Sequence, residues 1–225
     1  MASMKRGNNC SLVIFDCDGV LVDSEPIASR VLAELLTEVG FPFTMEQSIE
    51  SFTGLSLATV LGRIEGLWGR PLPADFRERL LERDEAAFLA ELQPVHGVAA
   101  AVQSLQVPIC VASSGTPRKI RTNLGTTGLL RLFDPHLFSA EMVARGKPAP
   151  DLFLHAAQSM GVAPADCIVV EDSVAGIHAA RAAGMTPIGF AGGGHAGPAY
   201  GEMLWEAGAE LVIERMADLP PLLAD

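Results

Sequence analysis

The sequence alternates short apolar runs, rich in valine and isoleucine, with longer segments in which apolar residues recur every three or four positions. The short runs are typical of strands buried on both faces, and the longer segments are typical of amphipathic helices. Strands that alternate with helices predict an α/β fold with a parallel sheet, whose ligand sites lie at the carboxyl ends of the strands. The expected strands are residues 12–15, 107–112, 137–139, 167–170, 186–190 and 211–213.

The alternation fails between residues 24 and 93, where helical patterns dominate. A stripe of apolar residues four positions apart begins at Ile27 and ends before Gly40, as expected of a helix. At about 150 residues per domain, a chain of 225 residues has room for one core and an insertion. We therefore expect a core domain of residues 1–23 and 94–225 and an inserted helical domain of residues 24–93.

The chain carries 27 acidic and 16 basic residues, and its net charge is −11. This charge would repel a phosphate backbone or an anionic membrane surface, so we expect neither nucleic acid nor a membrane as a partner. The longest uncharged stretch, residues 92–117, is interrupted by prolines and is not a membrane span. Residues 1–9 are followed by an apolar run too short for a signal peptide, so we expect a cytoplasmic location. Cys10, Cys17, Cys110 and Cys167 show no paired short spacing and are interpreted as reduced thiols.

Two acidic residues follow the first predicted strand, in the order Asp16-Cys17-Asp18-Gly19. A spacing of two on a strand directs both carboxylates to the same side, and the glycine allows the chain to turn away after them. The same short pattern also suits a pair of turn or capping acids. The pattern alone leaves both interpretations open.

Two serines, Ser113 and Ser114, follow the second predicted strand. Thr116 and Pro117 then fit the N-cap and the first position of a helix. A hydroxyl group beside a helix N-terminus suits an anion site, although serine is also common in loops that bind nothing.

Glu171 and Asp172 follow the fourth predicted strand, and Lys147 precedes the helix before that strand. Taken singly, the acids suit the first turn of a helix and the lysine suits a solvated surface. If the strand ends lie side by side, Asp16 and Asp18 join them, and four carboxylates around one lysine repel one another without a further cation. Oxygen ligands without histidine or cysteine favour Mg²⁺. Mg²⁺ beside a carboxylate, a hydroxyl group and a lysine is typical of a phosphoryl-transfer site.

The chain resembles the haloacid dehalogenase superfamily, whose ordered signature is similar to Asp16-Cys17-Asp18-Gly19-Val20, then Ser113, Lys147 and Glu171-Asp172. The helical insertion that follows Asp23-Ser24-Glu25-Pro26 is similar to the cap of the subgroup related to β-phosphoglucomutase. The resemblance covers almost the whole chain. It implies an α/β fold with a Rossmann-like parallel-sheet core and a small, inserted, all-helical cap domain.

The resemblance also implies a function for each motif residue. Asp16 would be the nucleophile that forms an aspartyl-phosphate. Asp18 would protonate the leaving alkoxide and then deprotonate the attacking water. The phosphoryl oxygens would be held by Ser113, Ser114 and Lys147, and Mg²⁺ by Asp16, the carbonyl of Asp18, Asp172 and Glu171, the last directly or through water.

The expected activity is hydrolysis of a small phosphorylated metabolite, a sugar or sugar-acid phosphate. Asp18 argues against a dehalogenase, because a halide leaves without a proton. A β-phosphoglucomutase-type isomerase would need cap cations for a second phosphate, but Thr53 and Leu57 stand where the resemblance expects them, and Ala28 replaces the mutase histidine. That isomerase and a non-catalytic phosphometabolite-binding protein remain alternatives. No feature fixes the oligomeric state, and a monomer is compatible with the sequence.

The cap loop of Phe52, Thr53, Gly54, Leu55 and Ser56 is our hypothesis for the segment that selects the substrate. Arg63 and Arg70 are interpreted as solvated charges, and Trp68 as packing within the cap. The glycine-rich residues 189–195 lack the G-x-G-x-x-G pattern of nucleotide binding and are interpreted as a mobile loop. The histidine in that segment, His195, is interpreted as structural or solvated.

Overall fold

A computed structural model describes residues 10–224 of the chain. The strands are β1 (Leu12–Phe15), β2 (Ile109–Ser113), β3 (Leu137–Ser139), β4 (Cys167–Glu171), β5 (Thr186–Phe190) and β6 (Leu211–Ile213). They form one parallel sheet in the spatial order β3-β2-β1-β4-β5-β6. The strand order changes direction between β1 and β4, and a crevice for a ligand is expected outside the carboxyl ends of these two strands.

Helices connect most of the strands. They are α1 (Glu25–Glu38), α2 (Met45–Phe52), α3 (Leu57–Trp68), α4 (Phe76–Glu91), α5 (Val98–Ser104), α6 (Pro117–Thr126), α7 (Leu130–Phe133), α8 (Asp151–Met160), α9 (Val174–Ala182), α10 (Tyr200–Glu206) and α11 (Leu219–Leu223). Local sequence explains several of their ends. The Thr116 hydroxyl accepts a hydrogen bond from the Lys119 backbone N–H at the start of α6, and Gly161, with φ of 70°, ends α8.

The sheet lies between two apolar layers. Val13 and Phe15 pack with residues of α5, α6 and α7 on one face, whereas Leu12 and Ile14 pack with residues of α8 and α9 on the other. Successive side chains of a strand point to opposite faces. Because both faces are covered, β1 is apolar along its whole length, as the sequence pattern indicated.

The helices of the insertion have an apolar cluster of their own. Val31 and Leu35 of α1 pack there with Ile64 of α3. Phe88 of α4 belongs instead to the cluster on the α5 face of the sheet. The end of α4 therefore anchors the insertion to the core, and the domain limits given above stay a prediction.

Aromatic packing stabilises one end of the insertion. Trp68 stacks on Phe41 with ring centroids 5.4 Å apart, and the Arg70 guanidinium lies 3.7 Å from the centre of the Trp68 ring. Exposed Arg63 donates a hydrogen bond to the Ser51 carbonyl. Trp68 thus packs within the cap, as the sequence predicted.

The predicted fold class is confirmed. Five of the six predicted strands have the expected bounds or differ from them by one residue. The second predicted strand is displaced: it begins at Ile109 rather than residue 107 and continues through Ser113. All four cysteines are free thiols. Within residues 10–224, no helix has the length and apolar character to span a membrane. The predictions made for residues 1–9 lie outside the described residues.

Candidate active site at the carboxyl ends of β1 and β4

Asp16 and Glu171 lie side by side because β1 and β4 are paired neighbours in the sheet. Phe15 is paired with Val170, so the residues that follow each of them, Asp16 and Glu171, occupy the same edge. Lys147 joins them from the loop before α8. Its Nζ donates to Asp16 Oδ1 at 2.6 Å, to Glu171 Oε1 at 2.5 Å and to the Ala112 carbonyl at 3.0 Å.

The ammonium group of Lys147 is charged and fixed. Its side chain is only 4% exposed, so burial opposes the charge, but the carboxylates of Asp16 and Glu171 outweigh that effect and raise the pKa of Lys147 above its ordinary value. Three acceptors hold the ammonium group in one place. The sequence predicted that Lys147 lies beside these acids. The alternative, that Lys147 is a solvated surface residue, is excluded by its burial.

Three buried carboxylates form a group that suits a divalent cation. One oxygen from each of Asp16, Glu171 and Asp172 lies within 4.8 Å of the others. Burial raises the pKa of Asp16 to about 7 and that of Asp172 well above its ordinary value. Burial of these carboxylates is unfavourable, because one lysine does not neutralise all three. Mg²⁺ fits this group, because it prefers oxygen ligands.

The oxygens of Glu171 are already hydrogen-bonded. Oε1 accepts from Lys147, and Oε2 accepts from both the backbone N–H and the hydroxyl of Ser173, at 3.0 and 2.9 Å. Asp16 Oδ2 and the Asp172 carboxylate accept no hydrogen bond from any residue in the range 10–224. Asp16 and Asp172 are therefore the better direct ligands.

Asp18 lies in a second, separate environment. Its Oδ2 accepts from Lys119 Nζ at 2.8 Å, and its Oδ1 accepts from the Ser24 hydroxyl at 2.8 Å and from Asn123 Nδ2 at 3.3 Å. Burial alone would raise the pKa of Asp18, but Lys119 and these hydrogen bonds lower it below its ordinary value. The structure thus gives the two aspartates of the motif different cations.

Sequence reasoning missed the three residues that hold Asp18. A signal for two of them was present: with Thr116 as the N-cap of α6, Lys119 and Asn123 lie four positions apart on one helix face beside the end of β2. Ser24, at the start of the insertion, gave no comparable signal.

The loop after β2 is tightly hydrogen-bonded. Ser113 is buried, and its hydroxyl accepts from the Gly115 N–H at 3.1 Å, while the Ser139 hydroxyl donates to the Gly115 carbonyl at 2.6 Å. Ser114 is exposed. Both predicted phosphate-binding serines therefore lie at the same sheet edge as Asp16, one held rigidly and the other open to solvent.

The cap loop divides into two kinds of residue. Phe52 is buried and stacks on Phe43 within the cap, with ring centroids 5.4 Å apart. Gly54 approaches the core, because a Cβ placed on it would lie 3.5 Å from Ser173 Cβ, immediately after the Glu171-Asp172 pair. Thr53 and Leu55 are partly buried, and Ser56 is the exposed N-cap of α3. Gly54 thus lies close to the acidic edge.

The glycine-rich segment packs against the same edge. Gly193 and His195 are buried, and the Gly194 N–H donates to Asp23 Oδ1 at 2.9 Å. Burial lowers the pKa of His195 to about 4, so its ring is neutral at pH 7. His195 is thus buried rather than solvated, and the mobility of the loop stays a prediction.

The match to a protein-family model decides the relationship of the chain. The model of haloacid dehalogenase-like hydrolases matches residues 10–184, which include all the motif residues described above. The chain belongs to the haloacid dehalogenase-like hydrolase family. The predicted family and the predicted hydrolase class are confirmed.

Individual family members agree with this assignment. The chain is 35% identical over 187 residues to the 6-phosphogluconate phosphatase of Escherichia coli strain K12, covering 83% of this chain and 85% of that protein. It is 42% identical to a haloacid dehalogenase-like protein of unknown function from Agrobacterium tumefaciens, whose crystal structure superposes with a TM-score of 0.89 over 95% of this chain and 97% of that one. A family hydrolase from Deinococcus radiodurans, solved with bound phosphate and sodium, is 34% identical, with a TM-score of 0.80 and 94% coverage of each chain.

Proposed function

We propose that the protein is a Mg²⁺-dependent phosphatase that hydrolyses a small sugar or sugar-acid phosphate through an aspartyl-phosphate at Asp16. The observation that carries this proposal is the buried group in which Lys147 faces Asp16, Glu171 and Asp172. One lysine does not balance three carboxylates, and a divalent cation restores the balance. The similarity to a 6-phosphogluconate phosphatase supports a sugar-acid phosphate as substrate.

Asp16 has one oxygen suited to attack. Oδ1 is held by Lys147, and Oδ2 is hydrogen-bonded to no residue in the described part of the chain. Attack of Oδ2 on phosphorus forms the acyl-phosphate bond while the bond from phosphorus to the sugar oxygen breaks. A water then attacks the same phosphorus, the bond to Asp16 breaks, and inorganic phosphate leaves with the Asp16 carboxylate restored.

Asp18 would move the protons in both steps. It gives a proton to the leaving sugar oxygen in the first step and takes one from the water in the second. The hydrogen bonds from Lys119, Ser24 and Asn123 favour its ionised form, which is the form that the second step needs. Because the first step needs the protonated form, the pKa of Asp18 has to rise when the substrate binds, through the loss of one of these donors or through the negative charge of the substrate.

Asp16, Asp172 and the backbone carbonyl of Asp18 would hold Mg²⁺ directly, and Glu171 would contact it through water. Bound Mg²⁺ would supply positive charge to the phosphoryl oxygens. Lys147, Ser113 and Ser114 would hold the same phosphoryl group from the side of β2.

The test is release of inorganic phosphate from a panel of sugar phosphates, sugar-acid phosphates and phosphoglycolate, with Mg²⁺ or with a chelator. We expect metal-dependent release that falls to background in Asp16→Asn, because the amide is not a nucleophile. Asp75→Asn is the matched control, since Asp75 lies on the cap with a side chain 59% exposed, and it should leave release unchanged.

Undiminished release in Asp16→Asn, or with chelator present, would contradict the proposal. Isomerisation of β-glucose 1-phosphate without phosphate release would favour the mutase alternative. Binding of phosphorylated sugars without either reaction would favour the binding protein. The cytoplasmic location stays a prediction, and a monomer stays compatible with the sequence.

A further inference from the structure

The imidazole ring of His195 is buried without a hydrogen-bond partner. Its side chain is 0% exposed, and within residues 10–224 neither ring nitrogen has a partner with hydrogen-bond geometry. A buried polar group that makes no hydrogen bond costs free energy, so such groups are rare and usually have a functional reason. The mechanism proposed above does not use this ring.

One ring nitrogen points towards the acidic edge. His195 Nε2 lies 3.3 Å from Asp172 Oδ2, close enough for a hydrogen bond but not aligned for one. The ring packs against Tyr200 in a T-shaped arrangement, with centroids 4.8 Å apart and ring planes at 81°. Hydrogen bonds of active sites are often poorly aligned before the ligand is bound.

The glycines of the loop are what allow the ring to come this close. A Cβ on Gly193 would lie 2.7 Å from His195 Cε1 and 3.1 Å from the Gly19 carbonyl oxygen. Gly19 itself has φ of 77°, and a Cβ there would overlap the Asp172 carboxyl group. The loop is fixed to the segment that follows the first motif by the Gly194 N–H, which donates to Asp23.

We propose that His195 is a positioning residue whose Nε2–H holds one oxygen of Asp172, so that the other oxygen faces Mg²⁺. The inference rests on the proposed function, because it needs Asp172 as a metal ligand. Carboxylates that bind a metal are commonly held by such a hydrogen bond, and its loss typically weakens metal affinity about 10- to 100-fold. The glycine-rich segment thereby gains a function, which is to carry the donor to Asp172.

Three substitutions separate the hydrogen bond from packing. His195→Leu removes both nitrogens, His195→Gln places an amide N–H near the position of Nε2, and His195→Asn places one near the position of Nδ1. The dissociation constant of Mn²⁺, used as the probe for the Mg²⁺ site, is measured by electron paramagnetic resonance without substrate, and Tm is recorded for each variant. His155→Leu is the control, because that ring also packs edge-on against an aromatic side chain, Phe138, at 5.5 Å.

We expect Mn²⁺ to bind about 10- to 100-fold more weakly to His195→Leu and His195→Asn, and His195→Gln to recover most of the affinity. His155→Leu should bind like the unaltered protein. Unaltered Mn²⁺ binding in His195→Leu would overturn the inference, as would equal weakening in all three His195 variants. If His195→Leu does not fold, equal affinity of the Gln and Asn variants overturns it.

A fifth variant distinguishes failure of the inference from failure of the proposed function. Asp172→Asn should lose Mn²⁺ binding if Asp172 is a ligand. Retained Mn²⁺ binding in that variant would contradict the metal site itself, and with it the proposed function. Lost Mn²⁺ binding in Asp172→Asn, together with unaltered binding in His195→Leu, would contradict only the function inferred for His195.

Discussion

At the scale of single residues, two lysines neutralise different carboxylates of the site. Lys147 is 4% exposed and contacts Asp16 and Glu171, whereas Lys119 is 40% exposed and contacts Asp18. A buried charge whose partner is removed stays without compensation, while an exposed pair is screened by water. The two lysines should therefore differ strongly in their contribution to stability.

The first prediction compares Lys147→Met with Lys119→Met. Lys147→Met should lower the free energy of unfolding by about 3 to 5 kcal/mol, because buried carboxylates lose their counter-charge. Lys119→Met should lower it by less, because the Lys119 side chain is 40% exposed and water screens part of its charge. Urea unfolding with a chelator present measures both. Equal losses would mean that Lys147 is not compensating buried charge.

At the scale of elements, the turn from β4 into α9 holds Glu171 in place. Ser173 is the N-cap of α9, its hydroxyl accepting from the Gly176 N–H at 3.0 Å and donating to Glu171 Oε2. Gly176 leaves room for the Glu171 carboxyl group, which a Cβ at that position would overlap. The first turn of α9 is therefore shaped around the acid that precedes it.

The second prediction follows from this close approach. Gly176→Ala should destabilise the protein and displace Glu171, whereas Gly62→Ala, in α3 with nothing within 4 Å of a Cβ, should stabilise it by about 0.5 to 1 kcal/mol. Thermal unfolding shows whether Tm rises or falls in each variant. A gain in Tm for both would show that α9 adapts without cost.

Helix α4 of the cap contacts helix α6 of the core, which carries Lys119. Asp84 of α4 is partly buried, and its Oδ1 has no hydrogen-bond partner within the described range. Burial raises the pKa of Asp84 to about 7; Lys119 opposes the shift, and Glu25 and Asp18 add to it. Ionised Asp84 is thus unfavourable in the folded protein.

The third prediction is a pH dependence. The pKa of Asp84 is about 7 in the folded protein and close to 3.8 in the unfolded chain, so its contribution to stability is present at low pH and is lost as the pH rises towards and through 7. Asp84→Asn should therefore raise Tm more at pH 8 than at pH 5. Asp75→Asn, at an exposed carboxylate before α4, is the control and should give the same difference at both values. A gain for Asp84→Asn that does not change with pH would contradict the assignment.

At the scale of the whole molecule, the substrate site proposed above lies where the cap meets the sheet edge. The insertion contributes Gly54 next to Ser173, and it contributes Ser24 to the contacts of Asp18. The core contributes the remaining acids and both lysines of the site. A change in the cap should therefore alter which substrate is used without removing the chemistry.

The fourth prediction concerns this division. Thr53→Lys adds a cation beside Gly54 and should raise kcat/KM for substrates with a second anionic group relative to those without one. Thr126→Lys, exposed at the end of α6, is the control for added charge. The measurement is kcat/KM for each substrate of the phosphate panel. An unchanged order of substrates in Thr53→Lys would show that the cap loop does not select the substrate.

The sequence by itself predicted those features that depend on neighbouring residues. The apolar runs predicted the strands, Thr116 and Pro117 predicted the start of α6, and the ordered acids and lysine predicted one site at the strand ends. Each signal is local, because strand burial, capping and turn preference act over a few residues. The change of pattern after residue 24 predicted the helical insertion, and the family resemblance identified it as a cap and added the catalytic assignments.

The tertiary structure alone decided which group each side chain contacts. Lys119 is 101 residues from Asp18 along the chain, and Lys147 is 131 residues from Asp16, so no local pattern distinguishes the two pairings. The position of His195 beside Asp172 depends on how the loop after β5 packs, which no local pattern predicts. Such contacts depend on the relative positions of distant elements and on side-chain rotamers, which packing of the whole chain determines.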